Sequence, residues 1–176
     1  TDLYKYREDV YALYAKYALI HKNLSLDFGV RMEHSYISPK SSNNPERNQS
    51  NSYTDVFPEI GLNYTWDRKN GHNINLGYNR GLGRPHMDYL NPLMRRVGEY
   101  NYSTGNPLLK PTYYDIYTLT AVLFNKYTLN VRYNYSNDGI LGVTENRNEI
   151  LYSTYTTGFN RSWLTAHIDI PLKIQK

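Results

Sequence analysis

Three charged residues, Asp27, Arg31 and Glu33, lie an even number of positions apart in one segment of the chain. Because successive side chains of a β-strand point to opposite faces, an extended segment would place all three on one face. Two carboxylates on one surface are the groups with which glycoside hydrolases cleave sugars, so a catalytic site is one interpretation. The other interpretation, which we favour, is a ladder of charges that lines a water-filled lumen or contacts a plug domain.

Other residue types that carry chemistry do not form recognisable sites. The chain has no cysteine, which excludes a disulfide framework and a thiolate metal site. The segment Gly81-Leu82-Gly83 lacks the third glycine of a dinucleotide-binding motif. The five histidines lack the spacing of a metal-binding pair and are His21, His34, His72, His86 and His167. We therefore expect no catalytic, cofactor-binding or metal-binding residues, and a protein that is not an enzyme.

The elements that would position these side chains are strands with one apolar and one polar face. Residues 24–32 alternate apolar and polar types almost without error, and the same pattern recurs along the chain. It predicts seven antiparallel strands: residues 9–20, 24–36, 58–66, 73–79, 113–123 and 127–135, and a last strand region that runs to about residue 174. Residues 9–20 also contain good helix formers, but their period of two favours a strand.

The connections between these strands alternate in length. Short turns are predicted at residues 21–23, 67–72 and 124–126, and long polar loops at residues 38–54, 81–112 and about 137–150. Outer-membrane barrels have short turns at one end and long loops at the other, whereas a soluble up-and-down sheet has no reason to separate them. The loop pattern therefore favours an all-β, antiparallel up-and-down meander that forms part of a large transmembrane β-barrel.

In a membrane barrel of this kind, one face of each strand contacts lipid and the other faces the interior. The row expected to face outward, towards outer-membrane lipid, contains Leu24, Leu26, Phe28, Val30, Met32, Ile60, Leu62, Tyr64, Leu129, Val131 and Tyr133. The row expected on the opposite face contains Asp27, Arg31, Glu33, Asn63, Asn75, Asn130 and Arg132.

Composition allows both a membrane barrel and a soluble protein. The chain has 176 residues, a net charge of +4 and 20 tyrosines, and its mean hydropathy is −0.70. Tyrosine suits both strands and membrane interfaces, so a soluble tyrosine-rich sheet that binds carbohydrate or peptides stays an alternative. No window is long and apolar enough for a membrane helix. The basic residues are scattered, which argues against a nucleic-acid partner.

Several short motifs then resemble a known family, the TonB-dependent outer-membrane receptors with their outer-membrane β-barrel. The resemblance covers nearly the whole chain and departs from the family pattern at Asn79, where serine is common. The ordered series in the second half is its most specific part. The segments that carry it are residues 8–15, Gly29-Val30-Arg31-Met32-Glu33-His34, Phe57-Pro58, Tyr78-Asn79-Arg80, Arg84-Pro85, Leu90-Asn91-Pro92 and Gly105-Asn106-Pro107-Leu108-Leu109-Lys110-Pro111.

The resemblance implies that residues 1–176 are a partial barrel domain, with the plug domain and the remaining strands elsewhere in a barrel of roughly 22 strands. It implies an outer-membrane location in a Gram-negative bacterium and import of a metal chelate, oligosaccharide or peptide. The implied partners are lipid, the other strands and the plug, the TonB complex acting through that plug, and a surface lipoprotein. A passive porin or adhesin-like barrel is the alternative.

The connection at residues 81–112 contains the two remaining groups of candidate residues. Aromatic rings beside hydrogen-bonding groups can stack on a sugar or chelate, which gives six ligand candidates: Tyr89, Arg95, Arg96, Glu99, Tyr100 and Tyr102. The alternative is that these rings only pack the loop. The motif residues, expected to frame a rigid loop because proline fixes φ, are Arg84, Pro85, Leu90, Asn91, Pro92, Gly105, Asn106, Pro107, Leu109 and Pro111.

Overall fold

The chain forms one curled antiparallel sheet of long strands. The computed structural model describes residues 4–41 and 50–171. Its elements are β1 (Tyr4–His21), β2 (Leu24–Ser41), β3 (Asn51–Asp67), β4 (His72–Gly83), α1 (Met87–Leu90), β5 (Arg95–Arg96), β6 (Asn101–Ser103), β7 (Thr112–Leu123), β8 (Tyr127–Arg147) and β9 (Ile150–Asp169). The predicted all-β class is confirmed.

The seven long strands follow one another as an antiparallel meander. The order across the sheet is β1-β2-β3-β4-β7-β8-β9-β6-β5, and the sheet curls into a half-barrel. Tight turns join β1 to β2, β3 to β4 and β7 to β8, as predicted. In the last of these turns Phe124 and Asn125 both have positive φ (54° and 51°), which matches the twist of a hairpin. The seven predicted strands thus correspond to the seven long ones.

The connection at residues 81–112 is more ordered than predicted. It contains the single-turn helix α1 and two short strands, of which β6 pairs in parallel with β9 at Leu151–Ser153. The two short strands raise the total in the described part of the chain to nine. Local patterning could not predict them, because two or three residues show no periodicity and the pairing partner is about fifty residues away in the chain.

The predicted polar loop at residues 137–150 is wrong. Strand β8 continues through Arg147, and β9 starts at Ile150 after a two-residue turn at Asn148 and Glu149, which have φ of 52° and 67°. This hairpin has polar side chains on both faces, such as Thr144, whose hydroxyl lies 2.9 Å from that of Ser153. A strand without an apolar face resembles a loop in sequence, because only the backbone pairing marks it as a strand.

Two other boundaries differ from the prediction. Strand β9 ends at Asp169, and residues 172–174, where the last strand was expected to end, lie outside the described residues. Both ends of the predicted loop at residues 38–54 belong to β2 and β3, and its central residues 42–49 lie outside the described part.

The described part of the chain has almost no conventional core. Its buried hydrophobic residues are Phe57, Leu90 and Leu109. Large apolar side chains are instead exposed on one face of the sheet, with Leu13 at 69% and Leu164 at 67% relative accessibility. A water-soluble protein rarely leaves so large an apolar patch uncovered, so this sheet requires an apolar partner. No helix among the described residues is long and apolar enough to cross a membrane.

Candidate functional site

Strand register joins the apolar positions of all seven long strands into one continuous face. Each strand contributes one residue to the central row, and each residue lies opposite the next across a strand pair. The row reads Leu19, Leu26, Leu62, Leu76, Leu119, Val131 and Ala166. The predicted division of the strands into an apolar and a polar row is thereby confirmed.

The opposite face has a parallel row of polar side chains. One position away from the apolar row, Asn63, Asn75, Thr120, Asn130 and His167 lie opposite one another across five strands. The Asn63 side-chain amide donates a hydrogen bond to the Asn75 side-chain oxygen, and Thr120 Oγ1 donates to Asn130 Oδ1 at 2.9 Å. Cross-strand pairs of this type stabilise a sheet whose polar face contacts water.

Two aromatic rows border the apolar face. At the short-turn end, Trp66, His72, Phe124 and Tyr127 form a chain of ring contacts with centroid separations of 5.6, 4.4 and 6.4 Å. Towards the other end, Tyr78, Tyr117 and Tyr133 form a second row, with separations of 4.9 and 6.1 Å. On β8 the rows are six residues apart, or about 20 Å along the strand. Because barrel strands are tilted by about 40°, this separation corresponds to a height of roughly 15 Å, which is less than the apolar band of an outer-membrane barrel, about 25 Å.

A buried ion cluster lies on the polar face, where β1 and β2 meet the start of the long connection. Arg84 Nε lies 2.6 Å from Glu8 Oε1, and one terminal nitrogen of Arg84 lies 2.7 Å from Glu33 Oε2 and 3.0 Å from Ser35 Oγ. Arg31 forms a second ion pair with Glu33. Glu33 is 3% exposed and Ser35 is fully buried. A buried carboxylate is costly unless it is paired, and Glu33 has two guanidinium partners.

The position of Glu33 decides between the two interpretations of the charged row. Its pairing with Arg31 agrees with a ladder of charges. Asp27 and Glu33 lie six residues apart on the same strand, which corresponds to about 20 Å. Glycosidase carboxylates lie within about 10 Å of each other, so these two cannot act as a catalytic pair. The described residues also contain no group of three or more His, Asp or Glu side chains that could hold a metal ion.

Beyond Arg84, the long connection is fixed to the opposite end of the sheet. Residues 101–103 pair with β9, and the Asn106 side-chain amide donates to the carbonyl oxygen of Tyr155 at 2.9 Å. The backbone N–H groups of Gly105 and Asn106 donate to the carbonyl oxygens of Asn91 and Tyr89. Because β1 and β9 lie far apart in strand order, residues 84–106 connect the two ends of the half-barrel.

The motif residues of this segment stabilise it from within. The Asn91 and Asn106 side chains each accept a hydrogen bond from a backbone N–H two residues later, at 3.1 and 2.9 Å. The Pro92 carbonyl accepts from the Thr104 hydroxyl at 3.0 Å. Leu90 and Leu109 are two of the few buried apolar residues. These contacts suit the rigid frame that the motif series predicts.

The six ligand candidates occupy different environments in the same segment. The ring of Tyr89 packs on Tyr155 at 4.3 Å and that of Tyr102 stacks on Tyr152 at 5.6 Å, so both rings contribute to loop packing. Tyr100 is 59% exposed. Arg96 binds the carbonyl oxygens of Gly98 and Glu99, while the side chains of Arg95 and Glu99 are exposed. Their role in ligand binding stays a prediction.

Comparison with known proteins gives one decisive result. A family model described as the outer membrane protein beta-barrel family matches residues 1–176. The chain belongs to this family. A search of curated proteins finds no significant match.

Membership of the outer membrane protein beta-barrel family locates the protein. The protein is a barrel protein of the outer membrane. In barrels of this kind the apolar strand face contacts lipid and the polar face lines the interior. We therefore expect the apolar row to face lipid and the face with Asn63, Asn75 and Glu33 to line the interior.

The sequence contained an unused signal for the ion cluster. Glu8, Glu33 and Arg84 each belong to a motif quoted for the family, yet linear spacing cannot show that they meet. Arg84 is 51 residues from Glu33 and 76 from Glu8. Their membership of three separate quoted motifs is the signal that could have singled out these charged residues.

The segment at residues 84–106 leads to a first prediction, which concerns Gly105. A Cβ on this buried glycine would lie 2.5 Å from the Asn91 carbonyl oxygen and 2.6 Å from that of Tyr89. Gly105→Ala should therefore destabilise the full-length barrel by about 1–3 kcal/mol, measured as urea-induced unfolding in detergent. Gly81→Ala is the matched control, because a Cβ there meets nothing within 4 Å. Equal unfolding midpoints for the two variants would contradict the close packing at Gly105.

Proposed function

We propose that the chain is part of the wall of a plugged, TonB-dependent barrel that imports a scarce nutrient into a Gram-negative bacterium. The substrate classes are a metal chelate, an oligosaccharide or a peptide. The protein acts by transport and makes or breaks no covalent bond. The plug, the remaining strands, the TonB complex and a surface lipoprotein are the partners in this proposal.

The ion cluster is the observation that carries the proposal. Glu8, Glu33 and Arg84 come from three separate motifs that resemble those of TonB-dependent receptors, and their side chains meet within 2.6–2.7 Å. Three unrelated motif matches would have no reason to converge on one ion cluster. The convergence therefore supports a resemblance in three dimensions as well as along the sequence.

The width of the sheet supports a large interior. Seven long strands that curl through half a barrel imply about fourteen strands in the complete wall, fewer than the roughly 22 expected but well above eight. Barrels of roughly 16 to 22 strands hold either an aqueous channel or a plug, whereas barrels of about eight are filled by side chains. The interior cluster also gives a plug domain a charged surface to contact.

The strand lengths support a substrate-binding role for the long connection. A strand needs about 9–11 residues to cross the bilayer, whereas β1, β2 and β3 have 17 or 18 and β8 and β9 have 20 or 21. The wall therefore extends past the apolar band at the end opposite the short turns. Residues 93–103 lie at this end, where Tyr100 and Arg95 are exposed and can make first contact with a substrate.

Proteoliposome swelling tests import against passive diffusion. Vesicles that contain the purified full-length protein are transferred to an isosmotic solution of arabinose. We expect swelling no faster than in protein-free vesicles, because a plug closes the barrel, while a known porin provides the positive control. Swelling at the rate of the porin would contradict the proposal and favour a passive channel.

A binding measurement then tests the energy-coupling step. The periplasmic domain of TonB is titrated into the same full-length protein in detergent, and we expect a saturable complex. A variant that lacks the plug domain is the control and should not bind. Absence of binding by the intact protein would contradict TonB dependence even if the barrel were closed.

A further inference from the structure

The wall is lower in its middle than on either side, at the end opposite the short turns. From the central apolar row, β4 and β7 each continue for seven residues, to Gly83 and Thr112, whereas β8 continues for sixteen, to Arg147. Strand β3 also continues, from Glu59, its last residue paired with β4, as far as Asn51. A notch therefore opens above β4 and β7, and β3 and β8 form its two sides.

Strand β8 presents an unpaired edge to this notch. Its pairing with β7 ends at Asn137, whereas its pairing with β9 continues from Ile140 through Arg147 without a register shift. Strands β7, β8 and β9 all lie within the residues that the structure describes. Among those residues, no backbone hydrogen bond joins residues 140–147 to any element other than β9.

Hydrogen bonds on the far side of β9 show which β8 groups point into the notch. The Leu151 N–H and the Ser153 carbonyl bond to the segment that contains β6, so odd-numbered residues of β9 point away from β8. Successive residues of a strand direct N–H and C=O to alternate sides, so even-numbered residues of β9 bond to β8, as Thr154 does to Val143. The even-numbered residues of β8, among them Thr144, therefore direct N–H and C=O into the notch.

This edge lacks the features that normally keep strand edges from pairing. Exposed edges are usually protected by lysine, proline or a bulge, and residues 140–147 contain none of the three. Leu141 is 51% exposed and Val143 37%, so apolar side chains lie beside the open backbone groups. The charged residues of this stretch, Glu145 and Arg147, form an ion pair with each other. An extended chain paired to the edge would satisfy the backbone groups and cover the apolar side chains.

The geometry of the notch limits which chain can pair there. Strands β3 and β8 are three places apart in the strand order, so about 14 Å separates them, which leaves room for one or two strands. A folded sheet of a partner protein has too many strands to enter. A second copy of this chain is excluded as well, because β8 strands of two barrels in one membrane rise in the same direction and, each tilted by about 40°, would cross at roughly 80°. Paired strands cross at about 20–25°.

We propose that the free edge of β8, residues 140–147, binds an extended peptide, which adds a strand to the sheet. Only a polypeptide repeats N–H and C=O groups at the spacing of a strand edge, so a sugar or a metal chelate cannot form the same ladder. The peptide reaches the notch from outside, because outer-membrane barrels have their long connections at the external end. The proposal selects peptides from the three substrate classes and therefore rests on the proposed import function.

Fluorescence anisotropy with the full-length protein in detergent tests the site. The probe is a labelled peptide that copies residues 151–157 of β9, the strand that pairs with the other edge of β8. Thr144→Pro removes one N–H that points into the notch and takes no hydrogen bond from the β8–β9 ladder. We expect this variant to bind the probe roughly tenfold more weakly than the wild type, because the peptide loses a hydrogen bond and meets the proline ring.

Thr144→Val is the matched control. Both variants lose the hydroxyl that lies 2.9 Å from that of Ser153, but valine keeps the backbone N–H, so this variant should bind the probe like the wild type. Heat-modified gel mobility verifies that both variants are folded. Excess unlabelled peptide should displace the probe from the wild type, and excess maltoheptaose should not.

The proposal is overturned if the wild type shows no saturable binding of the probe or if maltoheptaose displaces it. Equal binding by the wild type and Thr144→Pro, or equal loss in the two variants, would overturn it as well. The swelling and TonB measurements do not involve this edge, so a failure of peptide binding is distinguishable from a failure of the import proposal.

Discussion

Replacing Arg84 with alanine is expected to destabilise the barrel by about 3 kcal/mol, because it removes an ion-pair partner from both Glu8 and the buried Glu33. The side chain of Glu33 is 4% exposed and that of Glu8 17%, so neither can recover its hydration without local opening. Arg31 still pairs with Glu33 in this variant, but the contacts that Glu8 keeps within the described part of the chain are with the Tyr6 and Tyr53 hydroxyls, at 3.4 and 3.5 Å. Urea-induced unfolding of the full-length protein in detergent measures the loss.

Arg147→Ala is the matched control for this experiment. Arg147 and Glu145 form an equally short ion pair at 2.6 Å, but their side chains are 64% and 63% exposed. The hydrogen bond from Arg147 lowers the pKa of Glu145, yet water screens such an exposed pair, so its removal should change stability little. Similar losses for Arg84→Ala and Arg147→Ala would contradict the buried character of the cluster.

A double variant shows whether the stability lost in Arg84→Ala comes from the carboxylates that lose their partner. Glu33→Gln removes one of the two charges while it keeps the shape of the side chain. Added to Arg84→Ala, it should cost less than the sum of the two single variants, because the uncompensated charge is then smaller. Additive losses would assign the effect of Arg84 to packing of the residues 84–106 segment.

The second large effect is expected from a charge placed on the lipid-facing row. Leu26 lies in the central apolar row, so Leu26→Arg should weaken insertion of the full-length barrel by about 2–4 kcal/mol. Asp27→Asn, one residue along the same strand, changes the interior face and should leave insertion almost intact. The yield of heat-modifiable barrel in outer-membrane fractions measures both. Equal defects would contradict the assignment of the two faces.

The sequence predicted the long strands and their faces because both depend on local pattern. In an alternating segment such as residues 24–32, a shift of one residue in the strand register would move every apolar side chain to the other face. The pattern therefore determines the register. The short turns were predictable for the same reason, because each depends on a few adjacent residues. The hairpin at residues 137–150 was missed because its polar residues show no alternation. The backbone hydrogen bonds that pair its two strands cannot be inferred from residue types.

The site was less predictable because it depends on contacts between distant segments. Arg84 was assigned to a proline-rich frame, and Glu33 to a row of interior charges, but their meeting requires the curvature of the sheet. The stacking of the Tyr102 ring on Tyr152 of β9 was not predicted. That contact follows from the parallel pairing of β6, which the local sequence does not encode.

Spin labelling along one strand tests the central claim, a sheet with lipid on one face and water on the other. The chain has no cysteine, so single cysteines at each position from Leu24 to Met32 can be labelled in the full-length protein, with any cysteine outside this chain replaced. After reconstitution into vesicles, collision rates with oxygen and with a water-soluble nickel chelate are measured. We predict alternation with a period of two, with oxygen favoured at Leu26, Phe28 and Val30 and nickel at Asp27 and Arg31. Uniform access along the strand, or oxygen favoured at Asp27 and Arg31, would contradict the account.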